Sequence, residues 1–367
     1  MRICLFSSVF LPQLGGIENA SLHLADAWRD AGHEVVILTD TSAPAGYDNR
    51  FAGPVLRQPT AAQWRQTLAN SQILVSNGHS IRYLGLWLQS GIPFGWIHQS
   101  LLLVKSAAHR QWNYLRPMLW RRTTRLADFN VCVSSYMKRY VANPAAVIIP
   151  NGYAPVFRPM PEVATGRHFL FFGRLIMDKG IDTLIEAVAL CRARGKDLRA
   201  RLIGAGADQQ AATALADKLG VRDLVEIAPP LRGEELVRQI NAARAVVIPS
   251  HWGDPCPLTV VEAFACGKCL IAARDGGIPE IAAGYALLFE PRDAGALAAL
   301  MIQVAEDGAL VGQWEAKSLQ RAQNFPWRKI AAEYTTLFGQ VLAEGPRPPG
   351  RRIRRGAARV ALRLIRR

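Results

Sequence analysis

The chain has 367 residues, half of them hydrophobic, which suits two domains with ordinary cores. No apolar run reaches the roughly 18 residues that a membrane-spanning helix needs, and six scattered cysteines exclude a disulfide-stapled scaffold. The net charge of +15 is uneven, at +8 over residues 1–160, −2 over 161–344 and +9 over 345–367. That asymmetry points to an anionic partner or surface on the amino-terminal side.

The amino terminus has one arginine, Arg2, and no long apolar stretch with a small-residue cleavage site, so a cytoplasmic location is expected. Arg2 to Ser8 reads as a strand. Ile17, Ala20, Leu24, Trp28 and Ala31 repeat at helical spacing until Gly32, and Glu34 to Thr39 reads as the next strand. Between the first strand and helix, Gly15 and Gly16 let backbone approach a ligand closely and leave N–H groups facing it. Further strands are expected at Ile73–Ser76, Phe94–His98, Phe129–Val133 and Val147–Ile149. Their alternation with helices predicts a parallel, doubly wound sheet. His98 closes its strand, where a side chain meets a ligand cleft; the plain alternative is a core histidine with satisfied nitrogens. Residues 104–125 mix bases with aromatics, among them Lys105, Arg110, Trp112, Tyr114 and Trp120. They read either as a solvated helix face or as an acceptor-side surface for anionic headgroups or glycan; nucleic acid ranks low without a recognised module.

Pro155, Pro159 and Pro161 set a boundary near 160, giving an amino-terminal Rossmann-like domain over 1–160 and a second over 161–327. The second opens with a strand, His168–Phe172. Arg174 and Lys179 follow it, just ahead of a helix at Ile181–Ala193. Two cations beside a helix amino terminus make a diphosphate site. Leu202–Gly206 is expected as strand and glycine turn, with Gly204 in it, and Leu224–Ile227 as the next strand. The stretch from Val246 to Glu280 then gives a strand, a Pro- and Gly-rich loop, a helix at Leu258–Ala265 and a strand at Leu270–Ala273. Asp254 on the loop and Glu262 on the helix can face one cleft at the strands' carboxyl ends. The helix-start N–H groups of Leu258 and Thr259 suit a phosphate. Cys266 and Cys269 form a CxxC without a second ligand pair, and read as small buried residues. A strand at Ala286–Phe289, a helix from Asp293 and a last helix over 328–344 follow.

Four motifs in order resemble the GT-B glycosyltransferases, in particular retaining family four: Gly15-Gly16-Ile17-Glu18, Gly173-Arg174-Leu175 with Lys179-Gly180, Gly204-Ala205-Gly206, and Asp254-x7-Glu262 followed by an Ala-rich helix and Gly267. The family's first acid is usually Glu; here it is Asp254. The resemblance spans roughly residues 2–342. It implies the fold class α/β GT-B: two doubly wound Rossmann-like domains facing a central cleft, with the last helix crossing back to the first domain. It implies no bound cofactor beyond a UDP- or GDP-linked sugar as co-substrate. Arg174, Lys179 and helix N–H groups would then take the charge on the departing diphosphate, with Gly15, Gly16 and Gly204 bordering the nucleotide sugar. Glu262 would bind ribose hydroxyls, Asp254 sugar hydroxyls, and His98 would orient the sugar. There is no Asp-x-Asp and no His/Cys/Asp cluster with ligand spacing, so metal-independent transfer is expected.

The tail, 345–367, carries nine arginines and no acid. Ile353, Ala357, Val360, Ala361 and Leu364 line one helical face and Arg352, Arg355, Arg359, Arg363 and Arg366 the other, as in a helix that lies on an anionic bilayer; disorder is the alternative. The reading is transfer of a sugar to a glycan or lipid-linked acceptor in envelope polysaccharide synthesis, lipopolysaccharide among the candidates, at the inner membrane face. Two rivals stand beside it: a nucleotide-sugar epimerase on the same fold, and a non-catalytic binding protein with a nucleic-acid- or membrane-binding tail.

Overall fold

A computed structural model describes residues 1–13, 15–101 and 120–345. The chain divides into two units, one built from residues 1–150 and Trp327 onward, the other from Asn151–Pro326. The basic-aromatic stretch is described only from Trp120, and the arginine-rich tail lies outside the described residues.

The first unit holds a seven-stranded parallel sheet. Its strands are β1 (Arg2–Ser7), β2 (Glu34–Thr39), β3 (Val55–Arg57), β4 (Ile73–Asn77), β5 (Phe94–His98), β6 (Phe129–Cys132) and β7 (Val147–Ile148), in the order β3-β2-β1-β4-β5-β6-β7. The second holds a six-stranded parallel sheet of β8 (Phe169–Phe172), β9 (Ala200–Ile203), β10 (Val225–Ala228), β11 (Ala245–Ile248), β12 (Leu270–Ala273) and β13 (Leu287–Phe289), in the order β10-β9-β8-β11-β12-β13. Each order reverses once, at β1/β4 and at β8/β11, which is the doubly wound pattern. The inner strands are buried on both faces, so they read as continuous apolar runs without alternation. Trp64, Trp87, Trp96, Phe6 and Phe94 fill one side of the first sheet. Leu184, Ile185, Val188, Leu297 and Met301 cover one side of the second.

The last helix, Trp327–Glu344, packs on the helix Gly16–Asp30 of the first unit. Its Tyr334 and Phe338 flank Trp28, ring centroids 5.8 and 5.4 Å away, and Trp28 Nε1 donates to the Ala331 carbonyl at 3.3 Å. The chain enters and leaves the second unit side by side, Tyr153 N–H donating to the Phe325 carbonyl at 2.9 Å.

The division at Pro150 lies ahead of the boundary near 160 that the prolines suggested. The proline-rich segment is not a free linker. Met160 N–H donates to Asn241 Oδ1 at 2.8 Å, Asn241 Nδ2 to the Arg158 carbonyl at 3.0 Å, and Asn151 Nδ2 to the Cys256 carbonyl at 3.2 Å. Strand β9 ends at Ile203, and the glycine turn 204–206 follows it. A Cβ on Gly204 would stand 1.8 Å from the Gly173 carbonyl oxygen, and one on Gly206 would stand 2.2 Å from that of Leu175, so these glycines let two loops pack backbone to backbone. The helix Ala61–Ala69 opens on a reciprocal capping box between Thr60 and Gln63.

Candidate active site

In the second unit the switch point lies between β8 and β11, which pair through Phe169–Ala245 and Leu170–Val246. Chain leaving β8 carries Gly173, Arg174 and a 3-10 turn, Met177–Lys179; chain leaving β11 carries Ser250 and Asp254. Neighbouring strands therefore deliver Arg174, Lys179 and Asp254 to one edge, at their carboxyl ends, where such sheets bind ligands.

Lys179 and Asp254 meet directly. Lys179 Nζ donates to both carboxylate oxygens at 2.7 Å, and Ser250 Oγ donates to Oδ2 at 2.7 Å. Asp254 is only 8% exposed and Ser250 is buried. The loop behind them is pinned on several sides. Gly277 N–H donates to the Asp254 carbonyl at 2.8 Å, Gly253 N–H donates to the Asp275 carboxylate, and Asn151 holds Cys256. Gly180, which ends the turn and opens the helix Ile181–Ala193, has φ +75°, and a Cβ there would lie 2.0 Å from the Pro249 carbonyl oxygen. Gly180→Ala is therefore expected to destabilise the protein by about 2 kcal/mol or more, read as a lower urea midpoint, because both the left-handed backbone and the contact forbid a side chain.

Arg174 differs from Lys179. It is exposed and, among the described residues, its guanidinium makes no hydrogen bond or ion pair. Five N–H donors in a planar fork are thus available to an oxyanion. Glu262 lies on the eight-residue helix Leu258–Ala265, whose other side chains from Val260 to Ala265 are buried. Packing against β11, β12 and the helix Gly308–Ala322 holds so short a helix. The Glu262 carboxyl is half-buried with no partner among the described residues, and burial pushes it up to about 8. Leu258 and Thr259 open this helix behind Pro257, which offers no side-chain cap, so their N–H groups lack partners from within the helix, while Val260 N–H donates to the Pro257 carbonyl at 3.2 Å.

In the first unit, Gly15 caps the helix Gly16–Asp30, and a Cβ there would meet the buried Glu18 carboxylate at 2.5 Å. Glu18, unassigned from sequence, thus folds back over the glycine turn at a helix amino terminus. His98 is 1% exposed. Its Nε2 donates to Asn130 Oδ1 at 2.9 Å, since Asn130 spends its amide N–H on the Thr124 carbonyl at 2.8 Å. Nδ1 is buried without a partner, and burial lowers the imidazole to about 4, so the ring is neutral. His98 is therefore neither an exposed cleft residue nor a fully satisfied core histidine. The His79 ring stacks 6.3 Å away and Trp120 meets it edge-on at 5.2 Å.

Two surface cavities, of about 570 and 450 Å³, lie at the other, amino-terminal edges of the sheets, one beside Arg2 and Arg29 and the other beside His168 and Arg222. Among the described residues no group of three or more His, Cys, Asp or Glu is placed to hold a metal ion, and no single helix is long and apolar enough to cross a membrane. All six cysteines, Cys266 and Cys269 included, are unbridged and buried.

Two family models match successive parts of the chain: Glycosyltransferase Family 4 over residues 14–155, and Glycosyl transferases group 1 over residues 157–321. The chain belongs to this glycosyltransferase family. Among curated relatives of the family, a D-inositol 3-phosphate glycosyltransferase of Thermobispora bispora is 29% identical over 216 residues, covering 53% of this chain and 50% of that protein. The match thus spans about half the length of that relative. Among solved structures, a sucrose-phosphate synthase from Thermosynechococcus elongatus superposes with a TM-score of 0.77 at 23% identity, covering 94% of this chain and 100% of the other. The Anabaena protein HepE, solved with UDP and glucose, gives 0.77 at 19%, covering 92% and 99%. These are GT-B folds, and this family member shares that fold.

Proposed function

We propose that this glycosyltransferase moves a sugar from a nucleoside-diphosphate sugar to an acceptor hydroxyl, with retention and without a metal ion. The observation that supports the reading is the pair of neighbouring strand ends that carry Arg174, Lys179 and Asp254, with Glu262 on the helix that follows the second of them. Among the described residues Arg174 and Glu262 have no side-chain partner, and Lys179 is paired to Asp254. Arg174 and Lys179 stabilise the charge that develops on the departing diphosphate, and Glu262 accepts from ribose hydroxyls. Asp254 accepts from hydroxyls of the transferred sugar. The bond from the anomeric carbon to the diphosphate breaks, one to the acceptor oxygen forms, the acceptor hydroxyl's proton passes to the departing diphosphate oxygen, and a nucleoside diphosphate leaves.

HepE's UDP and glucose make UDP-sugars the first donors to try, with GDP-sugars second. A thermal-shift screen over both classes tests the reading: a donor that raises the melting temperature, followed by acceptor-dependent release of nucleoside diphosphate, supports it. Conversion of the sugar without acceptor would instead identify an epimerase. Inositol 3-phosphate belongs in the acceptor panel because of the relative's name.

The acceptor side of the proposal is a glycan or lipid-linked envelope intermediate at an anionic inner-membrane surface, supported by the +9 charge of residues 345–367. Deleting that tail is expected to release the protein from vesicles containing anionic lipid while sparing turnover on a soluble acceptor analogue. Co-sedimentation unchanged by the deletion would end the idea.

A further inference from the structure

The two cations at the edge of the second sheet are not equivalent. Arg174 is exposed and has no partner among the described residues, whereas Lys179 points two of its three N–H donors at one carboxylate, Asp254, at 2.7 Å each. That carboxylate cannot turn aside easily. Ser250 Oγ holds Oδ2, Gly277 N–H holds the Asp254 carbonyl, and a Cβ on Gly276 would stand 2.4 Å from that carbonyl oxygen. Any phosphate that takes Lys179 must therefore compete with Asp254 and approach its negative charge.

We propose that Asp254 is a specificity-determining residue that disfavours a bare nucleoside diphosphate relative to the same diphosphate carrying a sugar. The inference rests on the reading of this edge as the donor site. A sugar brings hydroxyl donors that share the carboxylate's charge, loosen its hold on Lys179 and free that ammonium for the phosphates. A bare diphosphate brings no such donors, so it meets Lys179 at half strength and Asp254 as a repulsive neighbour. Asp254 thus does two things with one group: it selects the loaded donor, and it weakens the hold on the product once the sugar has gone. The one-methylene difference from the family's usual Glu bears on this directly, since the shorter side chain sits within reach of both Lys179 and Ser250.

The test is calorimetric binding of UDP and GDP to the wild-type chain, to Asp254→Asn, to Lys179→Ala and to the double variant. Asp254→Asn, near-isosteric and neutral, is expected to bind the nucleoside diphosphate about tenfold more tightly than wild type, as the release of one partly buried ion pair implies. In the Lys179→Ala background the gain is expected to shrink to less than about twofold, since there is no lysine left to release. Unchanged or weaker binding by Asp254→Asn overturns the inference, and so does a gain that survives undiminished without Lys179, which would reduce Asp254 to simple repulsion. Asp254→Ser carries the same expectation and serves where melting shows the Asn variant misfolded. If the wild-type chain binds neither nucleotide, the donor-site reading itself falls, an outcome distinct from wild-type binding that Asp254→Asn fails to improve.

Discussion

Arg174→Ala is expected to lower kcat by about a thousandfold while moving the melting temperature by no more than about 1 °C. The two halves of that expectation have one cause. The guanidinium is exposed and has no partner among the described residues, so its removal strands no buried group and breaks no packing. Its whole contribution is directed outward, at charge that appears on the phosphate as the sugar departs. Arg174→Lys keeps the charge and loses the fork, and should recover only part of the rate. Near-wild-type turnover by Arg174→Ala, measured as nucleoside diphosphate released at saturating donor, would remove Arg174 from the chemistry. Lys179→Ala should behave differently. It leaves the Asp254 carboxylate, 8% exposed, without its cation, so stability falls along with activity.

Above pH 8, where its carboxyl is ionised, Glu262→Ala is expected to weaken donor binding by about fiftyfold, the loss of two charge-assisted hydrogen bonds from ribose. The pH dependence gives the sharper test. Burial holds the Glu262 carboxyl at about 8, above its ordinary 4.5, so near neutrality it is mostly protonated. Ribose hydroxyls bind best to the ionised form, so donor affinity should climb between pH 6 and 8 and level off above. Glu262→Gln, which cannot ionise, should flatten that climb. The linked stability runs the opposite way. A carboxyl raised in the folded state contributes stability that is present below 4.5 and is lost as the pH rises through about 8. Glu262→Gln should therefore melt higher than wild type at pH 9 and no higher at pH 4. A wild-type affinity that ignores pH over this range would show that Glu262 does not touch the ligand.

Much of the architecture was written locally. Continuous apolar runs gave the inner strands, and β2, β5, β12 and the helices Ile181–Ala193 and Leu258–Ala265 fall where the periodicity placed them. Strand ends placed Arg174, Lys179 and Asp254 at one edge without any knowledge of contacts. What could not be read is partnership at a distance. Lys179 and Asp254 are 75 residues apart, and nothing in either motif says that one neutralises the other. Ser250 and Asp275 carry no periodic signal, because loop residues matter here through single hydrogen bonds rather than through a repeated pattern. Burial decided His98, and burial is a property of the packed whole: the strand-end position was correct, but only the fold shows one nitrogen held by Asn130 and the other left alone. The proline segment carries the same lesson, since Asn241, far along the chain, fastens residues that composition alone marks as a linker.

The pairing of Trp28 with Ala331, Tyr334 and Phe338 has a consequence for biosynthesis. Trp28 emerges from the ribosome early, yet its cover is made only after the intervening 176 residues of the second unit, 151–326. At ordinary translation rates the 303 residues from Trp28 to Ala331 take on the order of fifteen to sixty seconds. Throughout that time, a large indole and the apolar flank around it face solvent or a chaperone. The inserted unit, whose two ends already meet at Tyr153 and Phe325, is free to finish first. The outer unit closes last, when its final helix arrives, so a nascent chain stalled before Trp327 carries one finished body and one left ajar.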